Sequence, residues 1–87
     1  MYAVVIPVTF NDRSAATAEL EGLVPQVSGM PGFVAGYWVS FSEDKGTAMI
    51  VFEAEDQAQG LVTVARDAPS GAVTSGAIEV GEVMGHA

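Results

Sequence analysis

Apolar residues occur along this chain in short runs whose spacing alternates between strand and helix periods. The first run, Tyr2 to Phe10, is dense in β-branched and aromatic residues and predicts a strand buried on at least one face. Pro7 cannot donate a ladder hydrogen bond, so we expect this strand to lie at a sheet edge or to carry a bulge there. Asn11 and Asp12 then offer N-cap side chains for a helix.

The residues after this cap predict an amphipathic helix. Its apolar residues share one helical face: Ala16, Leu20, Leu23, Val24 and Val27. Glu19 and Glu21 fall away from that face. Because Pro25 lacks an amide hydrogen, we expect the helix to kink or stop near Val24.

Two strands joined by a polar hairpin are predicted next. Phe33 to Phe41 carries bulky residues on both alternating faces, which favours a central strand covered on both sides. Ser42 to Gly46 is typical of a hairpin connection, and Thr47 to Ala54 is the partner strand.

A second helix and a last strand complete the pattern. Glu55 and Asp56 place acidic groups at a helix start, where the helix dipole favours them. The apolar stripe that follows comprises Ala58, Leu61, Val62 and Ala65. We expect Pro69-Ser70-Gly71 to close this helix. The last strand is predicted from Val73 to Met84, bent at its two glycines, with one face formed by Ile78, Val80 and Met84.

The order of these elements predicts an α+β domain of the ferredoxin-like βαββαβ type with an antiparallel sheet, spanning residues 1–87 as a single domain. The two helices should cover one face of the sheet. A second copy of the chain would cover the other face, so we expect a homodimer that packs sheet against sheet.

Composition narrows the classes of function. The 87 residues carry three basic and eleven acidic side chains, a formal net charge of -8, which disfavours nucleic acid and anionic membrane surfaces as partners. The absence of cysteine and the single histidine, His86, make a metal site poor in ligands. No apolar run approaches the ~20 residues of a membrane span, and a cytoplasmic location is the simplest expectation.

Two segments carry a family resemblance. Met30-Pro31-Gly32-Phe33-Val34-Ala35-Gly36-Tyr37 resembles the Pro-Gly-Phe entry into the second strand of the dimeric α/β-barrel superfamily, in its small antibiotic-biosynthesis-monooxygenase-like domains. Met49-Ile50-Val51-Phe52-Glu53-Ala54-Glu55-Asp56-Gln57-Ala58 is similar to the strand-to-helix junction of that family. Neither segment is specific to one chemistry.

The resemblance implies a dimer, a cavity between sheet and helices in each subunit, and often oxygenation of aromatic substrates without a cofactor. The haem-degrading branch of the family uses an asparagine in the first strand, a tryptophan on the second helix and a histidine just after it. This chain has Pro7 and Thr9 in the first strand, no tryptophan on the second helix, and His86 beside the C-terminus. We therefore expect no haem degradation and no cofactor.

Four residues are candidates for the cavity, and each has a structural alternative. Trp38 is able to stack on a planar ligand and donate its indole N–H, or to fill the core. Its neighbour Tyr37 points to the opposite face, where it suits either a cavity or a dimer interface. Glu53 is either a base of raised pKa or a solvated rim residue. Arg66 holds an anionic substrate or pairs with Asp67 or Glu82.

Two functional hypotheses follow. In the first, the chain is a small-molecule-binding dimer that resembles cofactor-independent monooxygenases acting on aromatic or polyketide-like compounds. In the second, it is a non-catalytic binding or structural homodimer. Catalysis requires an open cavity with convergent polar groups, whereas a structural role allows dense packing around Trp38.

Overall fold

A computed structural model describes residues 1–67 and 71–87. Its elements, in chain order, are β1 (Tyr2–Phe10), α1 (Arg13–Ser28), β2 (Phe33–Ser40), β3 (Lys45–Phe52), α2 (Glu55–Asp67), β4 (Val73–Ser75) and β5 (Glu79–Glu82). The predicted order of strands and helices is confirmed, with the last predicted strand present as two short pieces. In the described part of the chain, no helix is long and apolar enough to cross a membrane.

The sheet is antiparallel with the strand order β2-β3-β1-β4, and β5 also pairs with β1. Strand β1 is therefore central. Of the two alternatives expected for Pro7, the sheet edge is wrong, and a bulge is present in the strand that pairs with β1. The expectation that Phe33 to Phe41 forms a central strand is also wrong, because β2 lies at the edge of the sheet. This chain covers only the face of β2 that points toward the helices. Bulky residues of β2 such as Tyr37 and Val39 are therefore exposed on the other face.

Pro7 is tolerated in a central strand because the strand opposite it is bulged and requires no hydrogen bond from the missing N–H. The Pro7 carbonyl accepts a hydrogen bond from the Gly76 N–H at 2.7 Å, so the side of Pro7 that lacks a donor faces Gly76. Val5 pairs with Glu79 and Val8 pairs with Ser75, so residues 76–78 oppose only residues 6–7. The last strand therefore bulges and divides opposite the proline.

Helix α1 begins as predicted but ends later. Asp12 is the N-cap, and its Oδ1 accepts a hydrogen bond from the Ala15 N–H at 3.0 Å. The helix continues through Pro25 to Ser28, so of the two expected outcomes, a kink or a stop near Val24, the stop is wrong. Val27 is only 3% exposed, and its burial favours keeping the last turn helical.

Helix α2 packs more closely against the sheet than α1 does. Its buried residues are Ala58, Leu61 and Val62, which confirms the predicted apolar stripe. These side chains contact a core whose largest fully buried members are Phe52, Ile50 and Val4. The predicted helix end at Pro69-Ser70-Gly71 lies, for its first two residues, outside the described part of the chain. Met84 does not share a strand face with Ile78 and Val80: it lies beyond β5 and is 98% exposed.

The strand pairing assigns each side chain to a face. Residues opposite each other in an antiparallel pair share a face. Trp38 lies opposite the buried Ala48 and packs against the core, so it lies on the helix-covered face. Tyr37 lies opposite Met49, and both are exposed, which places them on the outer face.

Candidate ligand-binding cavity

Helix α1 contacts the sheet at its two ends and leaves a gap at its middle. Only Ala16, near its start, and Val27, near its end, are buried. Leu20 and Leu23 lie on the predicted packing face, yet Leu20 is half-buried and Leu23 is 42% exposed. The inner face of α1 therefore lines a space instead of closing the core.

That space is a cavity of about 640 Å³ between α1 and the inner face of the sheet. Small-molecule sites in proteins occupy roughly 300–1,000 Å³, so the cavity has the size of such a site. Its walls are mainly apolar, and the apolar side chains that line it include Ile6, Val8, Phe10, Leu20, Leu23, Val27, Met30, Trp38, Ile50 and Leu61.

Trp38 forms part of the wall contributed by the sheet. One end of its ring lies over Gly36, where an added Cβ would stand 2.9 Å from the Trp38 Cη2 atom. Within residues 1–67 and 71–87, the structure shows no hydrogen-bond partner for the indole N–H. Trp38 is thus held by packing against the strand and keeps a donor available to a bound molecule.

Arg13 lines the same cavity at the start of α1. Its Nη1 donates a hydrogen bond to the Ser42 carbonyl at 2.8 Å, and its guanidinium carbon lies 5.7 Å from the centre of the Phe10 ring. These two contacts fix a positive charge at one end of the cavity. Sequence reasoning missed Arg13. The available signal was its position directly after the Asp12 cap, where α1 meets the end of β1.

Further polar residues line the cavity: Thr17, Glu19, Gln26, Ser40, Thr47 and Ser75. The Thr17 hydroxyl already donates to the Arg13 carbonyl at 2.9 Å and keeps lone pairs that accept hydrogen bonds. Thr47 lies opposite Val39 on the outer face of the sheet, and its hydroxyl donates to the Ile6 carbonyl at 3.3 Å. The cavity thus combines apolar walls with a few polar groups, the composition typical of ligand sites.

The structure does not bring the four sequence-predicted candidates together. Trp38 is the one of them that lines the main cavity. Tyr37 is 57% exposed on the outer face, and Glu53 is exposed just beyond β3. Arg66 lies in a separate cleft of about 490 Å³ next to the cavity.

The cavity does not fit a haem or a metal ion. No group of three or more His, Asp or Glu side chains within the described ranges is arranged to hold a metal. The cavity lining contains no histidine, cysteine or tyrosine, the residues that most often ligate haem iron, and His86 is exposed near the C-terminus.

Comparison with known proteins finds similar structures and no similar sequences. No protein-family model matches the chain, and no curated protein matches its sequence. A protein of unknown function from Nitrosomonas europaea, NE2512, superposes with a TM-score of 0.71 at 16% identity, covering 99% of this chain and 91% of that one. SnoaB, a cofactor-independent oxygenase from Streptomyces nogalater, gives a TM-score of 0.68 at 13% identity, covering 98% and 94%.

A third similar structure is the haem degrader MhuD from Mycobacterium tuberculosis, solved with two haems in its active site. It gives a TM-score of 0.54 at 17% identity, covering 97% of this chain and 98% of that one. Identities this low establish the fold and leave the activity open. The chain therefore shares the ferredoxin-like fold of these three structures, and the predicted resemblance is confirmed at the level of the fold.

Proposed function

We propose that this chain binds a planar, largely apolar or aromatic small molecule in the cavity beneath α1. One observation carries the proposal: the cavity of about 640 Å³ lies where a purely structural protein would pack its core around Trp38. Apolar side chains that line an open space stay in contact with water, and their burial by a ligand is favourable. A ligand that fills it supplies the wall side chains with packing partners.

The wall chemistry suggests how such a ligand would lie. A planar ring system stacks against the Trp38 indole, because offset aromatic pairs are favourable beyond their buried area. A carbonyl or phenolate oxygen at one edge of the ring system accepts hydrogen bonds from Arg13, whose position is set by Ser42 and Phe10.

For the reaction, we favour oxygenation of the bound aromatic compound by molecular oxygen without a cofactor, and the similarity in fold to SnoaB supports this choice. An activated ring CH₂ group loses two hydrogens and gains one oxygen atom from O₂, giving a ring carbonyl and one water. Arg13 would stabilise the enolate or phenolate form, and the apolar walls would shelter the carbanion from bulk water. The alternative is a binding protein without catalysis.

Trp38 is the chain's single tryptophan, so its emission reports on the cavity directly. Anthrone, a neutral tricyclic probe with one activated CH₂ group, should quench this emission saturably when titrated without oxygen. By calorimetry, Trp38→Phe should weaken binding while Met49→Leu on the outer face leaves it unchanged. Absence of saturable binding to the native protein, or equal weakening by both variants, contradicts the proposed cavity site.

Oxygenation is tested by admitting air to the complex. We expect one O₂ consumed per anthraquinone formed, faster than with heat-denatured protein, and a slower rate in Arg13→Gln. Tight binding without acceleration would support the non-catalytic alternative and leave the binding site intact.

We further propose that two copies associate through the outer face of the sheet. That face exposes apolar side chains, with Tyr37 57% exposed, Val39 43% and Met49 40%. Contiguous exposed apolar surface of this kind marks association sites. Native mass spectrometry should show a dimer that Tyr37→Glu weakens and Met84→Ser does not, since Met84 lies beyond β5 at 98% exposure. A monomeric native protein would overturn this part of the proposal.

The cytoplasmic location expected from the sequence stays a prediction. Fractionation of the cells that produce the protein would test it.

A further inference from the structure

A second cleft adjoins the cavity at the end of α2. It measures about 490 Å³, and its walls are Arg66, the bulge residues 76–78, and three residues that also line the main cavity: Ala65, Val73 and Ser75. These three residues form a wall common to both spaces, so the cleft and the cavity are direct neighbours.

Arg66 has the features of an anion site that the described part of the protein leaves unpaired. It belongs to the last turn of α2, and within residues 1–67 and 71–87 it makes no ion pair or side-chain hydrogen bond. Neither Asp67 nor Glu82, the two partners expected from the sequence, pairs with it in that part of the chain. As far as residues 1–67 and 71–87 are concerned, its guanidinium group keeps its donors for another partner.

The distribution of charge supports the same site. The chain carries three basic side chains, Arg13, Lys45 and Arg66, against a formal net charge of -8. Two of the three line the cavity or the adjoining cleft. An anion is repelled by most of this surface, so concentration of the positive charge at the spaces favours an anionic ligand there.

We propose that the natural ligand carries a carboxylate group, which binds Arg66 in the cleft while its planar ring system occupies the cavity beside Trp38. This inference rests on the proposed function and specifies its ligand class. Arg66 binds a carboxylate through two parallel N–H···O hydrogen bonds, a geometry that lysine does not reproduce. The Ser75 hydroxyl, which faces the same side of the sheet as Val8, lies at the junction of the two spaces.

A structural role for Arg66 is the competing explanation. A cation in the last turn of a helix interacts favourably with the helix dipole whether or not a ligand is present. That role predicts a loss of stability in Arg66→Gln with no preference between charged and neutral ligands. The test therefore compares two ligands that differ only in charge.

The experiment measures the affinity of anthracene-9-carboxylate and of its neutral isostere anthracene-9-carboxamide by quenching of Trp38 emission. We expect the native protein to prefer the carboxylate by about 10-fold, which corresponds to ~1.4 kcal/mol. Arg66→Gln should abolish that preference while leaving carboxamide affinity unchanged, and Arg66→Lys should restore only part of it. Lys45→Gln is the matched control, because it removes the same charge outside both spaces.

The outcomes separate this inference from the proposed function. Carboxamide binding without a carboxylate preference overturns the Arg66 site and leaves the cavity proposal standing. An equal loss of preference in Lys45→Gln would show an effect of net charge and would also overturn the site. Failure of both probes to bind the native protein contradicts the proposed function, and the Arg66 site with it.

Discussion

The open cavity predicts that two leucines on the helices contribute unequally to stability. Leu61 on α2 is 4% exposed, and Leu23 on α1 is 42% exposed beside the cavity. Truncation of a buried leucine to alanine removes transfer free energy and leaves a void, together about 3–5 kcal/mol. Leu23→Ala creates no new void, and the transfer loss for its buried part is about 1 kcal/mol, partly offset by the higher helix propensity of alanine.

We expect Leu61→Ala to lower the free energy of unfolding by about 3 kcal/mol and Leu23→Ala by about 1 kcal/mol or less. Urea denaturation followed by far-ultraviolet circular dichroism and by Trp38 emission measures both values. The variants are compared at one protein concentration, because the stability of a dimer depends on concentration. If Leu23→Ala costs as much as Leu61→Ala, α1 packs densely against the sheet in solution and the cavity reasoning is refuted.

Four further predictions concern glycines and salt. In Gly36→Ala, the new Cβ would stand 2.9 Å from Trp38 and push its ring toward the cavity. Anthrone affinity should therefore fall several-fold, with a loss of stability below ~2 kcal/mol. Unchanged affinity would count against the ring position. In Gly46→Ala, the Cβ would stand 2.5 Å from the Val39 carbonyl oxygen, so denaturation should show a larger loss, about 3 kcal/mol or more. Gly60→Ala adds a methyl group with no neighbour within 4 Å in α2 and should raise stability by about 0.5–1 kcal/mol in the same assay. Because each copy carries a formal net charge of -8, the dimer dissociation constant measured by sedimentation should fall as salt rises from 0.01 to 0.3 M, and a rise would argue against an apolar interface.

Local patterns predicted the elements that depend on neighbouring residues. The Asp12 cap forms as expected, because capping involves a side chain and a backbone N–H three residues away. The apolar stripe of α2 is buried as expected, because a 3.6-residue period places Ala58, Leu61 and Val62 on one face. The hairpin between β2 and β3 was likewise predicted from its own polar residues, Ser42 to Gly46. In each case the residues that determine the structure lie within a few positions of one another.

Strand order and the contents of the cavity depend on contacts between distant residues, and there the sequence was a weaker guide. Pro7 indicated an edge strand or a bulge in its own strand, whereas the missing donor faces a bulge in the neighbouring strand, at Gly76. Leu20 and Leu23 have the spacing of core residues, yet how closely α1 approaches the sheet decides whether they pack. Arg13 was not predicted as a cavity residue because its side chain is positioned by a hydrogen bond to the Ser42 carbonyl, which lies in the hairpin after β2.

The two helices have different roles: α2 contributes to the buried core, and α1 lines the cavity. The buried cluster consists of residues from β1, β3 and α2 and takes only Val27 from α1. Substitutions along the inner face of α1 therefore change the cavity with little effect on the fold, whereas substitutions on α2 act on the core directly. Because Arg13 enters the cavity from α1 and Arg66 adjoins it from the exposed end of α2, both cations lie outside the cluster that holds the sheet together. Under the proposed function, the shape and charge of the ligand would thus be set by residues that contribute little to the core, so that one stable scaffold could accept different ligands.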